Sequence, residues 1–490
     1  MADTNRIADP LAATRAALEG REAWLVGGAI RDRVLGRETS DLDVVVDGDP
    51  QEAARAIARA AGRAACFALS EEFGAWRVCS RDSTWQVDVE RLRGGSLAAD
   101  LALRDFTVNA IAEPLAGGPP IDPLGGLADL DARRLRAAAP RAFADDPLRV
   151  LRLARVAVEL GLLAEPDTLA QARAHAIELA DVSSERVFVE LRRIVAAGEA
   201  LRGLELMHEL GATAIVLPEL EALRGIEQNR FHHADVHDHT LEVLARTIAL
   251  ERFAAGVDVE GADELDRALG EHRGAVATLL AEPLADQMTR GEALRWGALL
   301  HDAAKPLTRS VRPLDGRVTF LGHDERGAAL AREALGRLRA SERVRAHVAA
   351  LTRQHLRLGF LVHEPQPLSR RTVFAYLRAT EPVEVDVTLL SVADRLATRG
   401  ARAGDAIDAH VRVARGMLAE ALRWRADGPP PPLLRGDQLG RELGIPPGPR
   451  IGALLEALAE AQFTGEVSTR EQALAHLRGA DGRAGATRSE

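Results

Sequence analysis

Two aspartates separated by one residue, Asp41 and Asp43, lie in an otherwise apolar run and have a spacing that suits the binding of a cation. The run, residues 40–46, is typical of a β-strand, in which residues two apart point to one face. Leu42 and Val44 would then face the core. A carboxylate pair set side by side suits a hard divalent cation such as Mg²⁺, which substrate phosphates help to bind. Alone this spacing is a weak signal, because such a pair is usually a solvated strand end.

A glycine pair precedes the aspartates. Gly27 and Gly28 end a short apolar stretch and turn directly into a segment with helical character that carries Arg31. Glycines let backbone N–H groups approach an anion at a helix N-terminus, and the arginine lies close by. A metal ion, a triphosphate and a nucleotide therefore fit one site.

A third acidic segment, residues 85–91, predicts another strand with Asp88 and Glu90 on one face. A third carboxylate beside the first two would complete a two-metal site for phosphoryl transfer. On spacing alone, an exposed strand edge explains this segment equally well.

The succession of strand, Gly-Gly-x-x-Arg-Asp helix and Asp-Leu-Asp strand resembles the nucleotidyltransferase head of the DNA polymerase β superfamily. Within it, the chain is most similar to the class II CCA tRNA nucleotidyltransferases and bacterial poly(A) polymerases. The resemblance implies a metal set and a triphosphate set. The first is Asp41, Asp43 and Asp88, which would hold Mg²⁺, and the second is Gly27, Gly28 and Arg31.

Residues 103–112 resemble the family's Arg-Arg-Asp-Phe-Thr-x-Asn-Ala motif, with Leu103 in place of its first arginine. Arg104 offers planar donors to phosphate, while Asp105 and Asn109 can hydrogen-bond ribose hydroxyls. The loop before this motif is much shorter than is usual in the family, where it is implicated in switching to the final adenosine.

Residues 143–152 resemble the family's Glu-Asp-x-x-Arg motif, in which an acid and an arginine present a Watson–Crick-like edge to the incoming base. The resemblance implies that Asp146 and Arg149 recognise the base, and Arg152 follows at helical spacing. Asp145 replaces the family's glutamate. Helix capping alone would explain the acids but not the arginines. The arginine-rich stretch 133–155 is the local basic patch expected to contact RNA phosphates.

A second group of residues follows the order of an HD domain: His239, His301, Asp302, His323, His355 and Asp394. Adjacent His and Asp joined by histidines from other helices can chelate one or two transition metals, such as Ni, Mn, Co or Fe. Such an ion activates water for hydrolysis near neutral pH. A single histidine on an apolar face is more often a core residue, but four in this order with two aspartates favour ligation. Lys305, the only lysine of the chain, would lie near a substrate phosphate.

The 490 residues predict several domains, with 47% hydrophobic and 28% charged residues, few aromatics and a net charge of −10. The fold class is an α+β head, a mixed sheet flanked by helices, followed by a mostly α-helical neck, HD domain and tail. Predicted boundaries are 1–131 for the head, 132–225 for a helical neck that binds base and RNA, 226–426 for the HD domain and 433–478 for the tail. Residues 479–490 are predicted to be disordered and the acidic stretch 257–286 to be a solvated insertion.

The leading hypothesis is template-independent addition of CCA, or part of it, to tRNA 3′ ends from CTP and ATP. CC-only addition, A-only addition and poly(A) synthesis stay open, as does the oligomeric state. A hypothesis of another class makes the HD half the main activity, as a metal-dependent phosphohydrolase. No apolar run reaches membrane-spanning length, so a cytoplasmic protein is expected.

Overall fold

The structure is a computed structural model that describes residues 9–70, 74–82, 84–228, 235–398 and 403–486. It forms two compact units, Met1–Val216 and Leu217–Glu490. The predicted domain boundaries are finer than this division and stay predictions. In the described residues, no helix is both long enough and apolar enough to span a membrane.

The first unit contains a mixed six-stranded sheet in the order β3-β4-β5-β2-β1-β6. Its strands are β1 (Ala23–Val26), β2 (Asp41–Val46), β3 (Ala65–Ser70), β4 (Ala75–Cys79), β5 (Gln86–Arg91) and β6 (Ala112–Pro114). Only β2 and β5 pair in parallel; the other neighbours are antiparallel. The head therefore has the predicted mixed sheet.

Helices flank the sheet and then continue alone to the end of the unit. They are α1 (Pro10–Ala17), α2 (Gly28–Val34), α3 (Pro50–Ala60), α4 (Leu97–Ala102), α5 (Gly126–Asp131), α6 (Ala142–Asp145), α7 (Arg149–Leu160), α8 (Pro166–Ala174), α9 (Ser184–Ala196), α10 (Ala200–Glu209) and α11 (Thr213–Val216). A 3₁₀ turn spans Thr107–Asn109. Two short strands, β7 (Arg134–Leu135) and β8 (Leu163–Ala164), pair in parallel.

The local sequence explains why the sheet positions its acids. In β2 the side chains of Leu42 and Val44 are buried, whereas Asp41 and Asp43 are exposed. The parallel register sets Asp43 opposite Asp88 of β5. Because directly paired residues share a face of the sheet, the predicted acids emerge on one side.

The second unit is almost entirely helical. Its helices are α12 (Pro218–Glu221), α13 (Val236–Ala254), α14 (Ala262–Leu269), α15 (Arg273–Leu280), α16 (Arg290–Leu300), α17 (Lys305–Thr308), α18 (His323–Arg337), α19 (Glu342–Gln354), α20 (Arg357–Leu361), α21 (Arg370–Thr380), α22 (Glu384–Ala397), α23 (Ala403–Asp427), α24 (Gly436–Leu443), α25 (Pro449–Thr464) and α26 (Arg470–Ala486). Two small hairpins interrupt them, β9 (Pro283–Ala285) with β10 (Met288–Thr289) and β11 (Ser310–Val311) with β12 (Val318–Thr319). The predicted fold class, an α+β head followed by helical domains, is confirmed.

One prediction about the second unit is wrong. The stretch 257–286 is not merely a solvated insertion, because Leu265 and Leu269 of α14 and Val276 of α15 are buried. The acids lie on the outward face of helices whose other face is apolar. The predicted disorder of residues 479–490 stays a prediction, and 487–490 lie outside the described residues.

We expect Gly126→Ala to destabilise the first unit by about 3 kcal/mol, because a Cβ there would overlap main-chain atoms that cannot rotate away. It would lie 2.1 Å from the carbonyl oxygen and 2.8 Å from the carbonyl carbon of Thr107. Urea unfolding followed by circular dichroism measures the effect. Gly198→Ala is the matched control, since nothing lies within 4 Å of its Cβ position. Equal midpoints for the two variants would contradict the packing of α5 on the turn at Thr107.

Candidate functional site

A cavity of about 430 Å³ in the first unit brings the predicted nucleotide residues together. The predicted residues that line it are Gly27, Gly28, Arg31, Asp41, Asp43, Arg104, Asp105, Asn109, Asp146, Arg149 and Arg152. They come from β2, α2, the segment 103–109 and the start of α7. Segments more than 100 residues apart in the sequence therefore converge on one polar space.

Gly27 ends β1 in a conformation and at a distance that require glycine. Its φ is 73°, and its amide donates to the carbonyl oxygen of Ile111 at 3.0 Å. A Cβ at this position would lie 2.9 Å from Nη1 of Arg104 and 3.3 Å from Oδ2 of Asp43. The absence of a side chain therefore lets Arg104 and Asp43, the predicted phosphate and metal partners, approach the same main-chain atoms.

Asp43, on the floor of the cavity, has a shifted pKa. Desolvation by the surrounding protein is the main cause that raises the pKa of this carboxyl to about 6. Arg104 opposes the rise, whereas Asp88 and Glu90 add to it. The side chain remains accessible from the cavity. A carboxyl with a raised pKa among other acids is the setting in which a divalent cation stabilises the ionised form, so the residues fit Mg²⁺.

Asp88 lies beside Asp43 but has another partner. Both of its carboxylate oxygens accept hydrogen bonds from Arg77 of β4, at 2.7 Å each. Among the described residues that line the cavity, β5 contributes Glu90 and not Asp88. The role of Asp88 as third metal ligand stays a prediction.

A chain of hydrogen bonds crosses the cavity floor from α7 to α2. Arg152 lies 2.8 Å from Oδ2 of Asp105, whose Oδ1 accepts from Nδ2 of Asn109 at 2.9 Å. Asn109 in turn accepts from Nη1 of Arg31 at 2.5 Å, and Arg31 also pairs with Asp32. Burial raises the pKa of Asp105, but Arg152 and the bond from Asn109 outweigh it and hold the pKa at about 2.

The two residues predicted to recognise the base both have protein partners. Oδ2 of Asp146 accepts from Nη2 of Arg186 on α9 at 2.7 Å. Arg149 donates through Nη2 to the carbonyl oxygen of Leu103 at 2.7 Å and through Nη1 to that of Ala142 at 3.0 Å. These bonds fix the orientation of both side chains before any nucleotide arrives.

The cavity also includes residues to which the sequence analysis assigned no role in nucleotide binding: Asp32, Thr39, Glu90, Arg93, Leu103, Arg155 and Arg193. Of these, Arg155 belongs to the predicted basic patch 133–155. Two of the arginines could be placed from their spacing. Arg155 continues the three-residue spacing of Arg149 and Arg152 along α7, which places all three on neighbouring turns. Arg193 belongs to the arginine-rich end of α9 and pairs with Glu159. A search for cations at helical spacing would have found them.

A second centre lies in the second unit, where all six predicted HD residues converge. Ligand atoms of His239, His301 and Asp302 all lie within 4.8 Å of one another, and so do those of Asp302, His323 and His355. Asp302 therefore belongs to both groups. Asp394 completes the set, since its Oδ1 lies 3.1 Å from Nε2 of His239.

Three of the histidines are oriented by main-chain oxygens close to them in the sequence. Nδ1 of His301, His323 and His355 lies 2.8, 2.6 and 2.7 Å from the carbonyl oxygen three residues earlier. A ring held this way through Nδ1 turns Nε2 towards the cluster, which is the arrangement that supports metal ligation. This donor set of imidazoles and carboxylates fits one or two transition metals.

Opposite charges lie close together inside the cluster: burial lowers the pKa of His301, but Asp302 and Asp394 outweigh it and raise the pKa above its usual value. Burial raises the pKa of Asp302, but His301 and Lys305 outweigh it and hold the pKa well below its usual range. Burial and the nearby His301 lower the pKa of His355 to about 4, so this ring is neutral and its nitrogen is available as a ligand. Lys305 donates to Oε1 of Gln228 at 2.7 Å and lies 2.6 Å from Oδ2 of Asp302.

Comparison with known families identifies three segments. Residues 23–136 match the Poly A polymerase head domain, residues 161–223 match the probable RNA and SrmB-binding site of polymerase A, and residues 269–399 match the HD domain. An A-adding tRNA nucleotidyltransferase of Deinococcus radiodurans is 35% identical over 460 residues, 93% of this chain and 94% of that protein. The chain belongs to the class II tRNA nucleotidyltransferase and poly(A) polymerase family.

Other tRNA nucleotidyltransferases are also similar to this chain over nearly its whole length. A CC-adding tRNA nucleotidyltransferase of Thermus thermophilus is 33% identical over 462 residues, 93% of each chain. The Thermotoga maritima CCA-adding enzyme, solved in complex with tRNA, shares the fold with a TM-score of 0.58 at 18% identity over 97% of each chain. The protein is a nucleotidyltransferase with an RNA-binding segment and an HD domain. The nucleotidyltransferase head and the HD domain both imply dependence on divalent metals.

In this nucleotidyltransferase, Asp43→Asn should raise the melting temperature of chelator-treated protein more at about pH 8 than at about pH 5. The folded pKa is about 6 against an ordinary 3.8, so the folded state keeps a proton that the unfolded state has lost. Stability therefore falls as the pH rises through this window, and asparagine removes that loss. Differential scanning calorimetry measures it, with Asp47→Asn outside the cavity as control. The same gain at both pH values would contradict a raised pKa.

Proposed function

We propose that the protein adds nucleotides of the CCA end to tRNA 3′ termini, taking them from CTP and ATP without a nucleic-acid template. The observation that carries the proposal is the convergence of a carboxylate pair, a glycine turn and an arginine-rich wall on one cavity. Family membership over nearly the whole chain supports the same reaction class.

In the proposed reaction the 3′ oxygen of the RNA attacks the α-phosphorus of the nucleotide, and pyrophosphate leaves. Asp41 and Asp43, with Asp88, would hold Mg²⁺. When bound, such ions lower the pKa of the attacking hydroxyl and neutralise charge on the leaving group. The protein itself supplies position: the main chain of Gly27 and Gly28, together with Arg31, receives the triphosphate.

The sugar and the base have separate partners in this proposal. Asp105 and Asn109 bind the ribose, held in place by Arg152, and Arg104 binds phosphate. Asp146 accepts from the amino group of the base while Arg149 donates to its ring edge, so protein groups replace a template strand. Because Arg149 is already fixed by main-chain carbonyls, little side-chain entropy is lost when the base binds.

Which nucleotides of the CCA end are added depends, in this proposal, on a short segment before Arg104. The backbone N–H and Nε of Arg93 both donate to Oδ1 of Asp100 at 3.1 Å, which closes residues 93–96 into a tight turn on the first residues of α4. A turn of this length has no room for the long loop of the family. CC-only or A-only addition is therefore the second candidate, and relatives named for each are similar over 93% of this chain.

Incubation of the protein with tRNA lacking its 3′ end and one labelled triphosphate at a time should incorporate CTP first, and ATP only after two cytidines. Asp41→Ala with Asp43→Ala should slow incorporation by about 1000-fold or more, because several kcal/mol of transition-state stabilisation are lost. Asp47→Ala, beyond the end of β2, is the control. Incorporation of ATP but never CTP would refute full CCA addition and favour A-only addition, and long adenosine tracts would favour poly(A) synthesis.

We infer a second activity, metal-dependent phosphohydrolysis, for the HD centre. Its support is the set of six ligand side chains around Asp302 and the tethered histidine rings. His239, His301, Asp302 and Asp394 would hold one transition-metal ion, and Asp302, His323 and His355 a second. Such ions supply a nucleophile from water near neutral pH. The protein's own residues orient the ligands and place Lys305 at the cluster.

Asp302→Asn should abolish hydrolysis of a phosphate monoester and leave nucleotide addition within about twofold, because the two centres use different residues. Since Asp302 belongs to both ligand groups, metal content measured by mass spectrometry should fall to background. Asp263→Asn, on the first turn of α14, is the matched control. Retention of the transition metal in Asp302→Asn, or loss of nucleotide addition with it, would contradict the assignment.

A further inference from the structure

An arginine of the six-stranded sheet lies in one row with two of its acids. Arg77, in the middle of β4, is directly opposite Asp88 of β5, and Asp88 is directly opposite Asp43 of β2. Because directly paired residues share a face, the three side chains emerge on the same side of the sheet. Within the strands of this sheet that the structure describes, Arg77 is the one cation on that face.

The contact between Arg77 and Asp88 is a two-point ion pair. Nε donates to Oδ1 and Nη2 donates to Oδ2, at 2.7 Å each. The two side chains are 29% and 19% exposed, so the pair is largely withdrawn from water. Parallel hydrogen bonds between a guanidinium and a carboxylate are among the stronger ones in proteins. Both oxygens of Asp88 are thus engaged by the protein, whereas Asp43 faces the cavity.

The acids on this face repel one another. Asp88 and Glu90 both contribute to the raised pKa of Asp43, and like charges directly opposite each other on neighbouring strands are destabilising. Arg77 opposes this repulsion. The pKa of Arg77 is raised mainly by its hydrogen bonds to Asp88; burial opposes the rise, and Asp41 adds to it. The charge of Arg77 therefore acts on the carboxylate pair of β2 as well as on its direct partner.

We propose that Arg77 is the internal counter-cation of this carboxylate cluster: it holds the acids together before a metal ion binds and competes with Mg²⁺ for Asp88. Two cations at one set of carboxylates repel each other, so each weakens the binding of the other. The proposal rests on the proposed nucleotide addition, in which these acids hold Mg²⁺. Among the described residues that line the cavity, Arg77 is absent, so it acts through Asp88 as a positioning residue.

A nucleotide would change the balance between the two cations. Its phosphates bring further oxygen ligands and negative charge to a Mg²⁺ ion, which the protein alone offers only through a few carboxylates. With a triphosphate present, the ion competes with Arg77 more successfully. The protein by itself would then bind Mg²⁺ weakly, and the ion would enter the site largely together with the substrate.

Isothermal titration of Mg²⁺ into the chelator-treated full chain tests the counter-cation. Arg77→Gln should bind Mg²⁺ about threefold to tenfold more tightly than the wild type, because a like charge is removed from the site. Arg59→Gln, an exposed arginine near the end of α3, is the matched control and should bind as the wild type does. The variant with both Asp41→Ala and Asp43→Ala gives the heat that comes from other sites, including the HD centre.

Differential scanning calorimetry gives a second readout. In chelator, Arg77→Gln should melt at a lower temperature than the wild type, because the acids lose their partner. Added Mg²⁺ should narrow the difference, since an ion that binds more tightly stabilises the folded state more. A purely structural ion pair would lower the melting temperature equally with and without Mg²⁺.

Arg77→Lys keeps the charge without the two-point contact, so its Mg²⁺ affinity should stay within about twofold of the wild type. A larger change would overturn the counter-cation even if Arg77→Gln did not fold. Mg²⁺ binding by Arg77→Gln that is no tighter than that by Arg59→Gln would overturn it as well. Tighter binding by Arg77→Gln, with no incorporation of CTP or ATP by the wild type, would refute nucleotide addition and leave the counter-cation standing.

Discussion

The ion pair between the buried carboxylate of Asp105 and the partly exposed guanidinium of Arg152 is the interaction on which the first cavity depends. It joins the segment 103–109 to α7, and through Asn109 it reaches Arg31 at the glycine turn. A charge taken out of water this way persists only when its partner is held in place, so loss of either residue would leave the other uncompensated. The residues predicted to bind sugar and phosphate are therefore one connected unit and not independent contacts.

The two centres differ in the charges that their side chains bring together. In the first, acids are crowded on the floor of a cavity whose walls carry arginines, so negative triphosphate and positive metal both have a place. In the second, histidines gather around Asp302, whose low pKa keeps it charged while His355 is kept neutral. The first suits a hard ion shared with a substrate; the second suits a softer ion held mainly by the protein.

Periodicity and motif order were enough to predict the fold class and to place most site residues. Alternation in β2 located Asp41 and Asp43, and the order of histidines along the chain located all six HD residues. The pairings of Asp88 with Arg77 and of Asp146 with Arg186 were not predictable, because they depend on which rotamers meet across strands and helices. The stretch 257–286 was wrongly predicted to be a solvated insertion, because its many acids outweighed the apolar positions, such as Leu265, that form a buried helix face.

In the second centre, Nδ1 of His301 and Nδ1 of His355 each lie against a main-chain oxygen of the helix they terminate, at the ends of α16 and α19. The backbone therefore sets the orientation of these two rings independently of what they bind. Exchange of one bound cation for another would then require only diffusion and release of solvent, with no rearrangement of helices. Selection among similar cations would depend on their abundance around the protein more than on any adjustment of the fold.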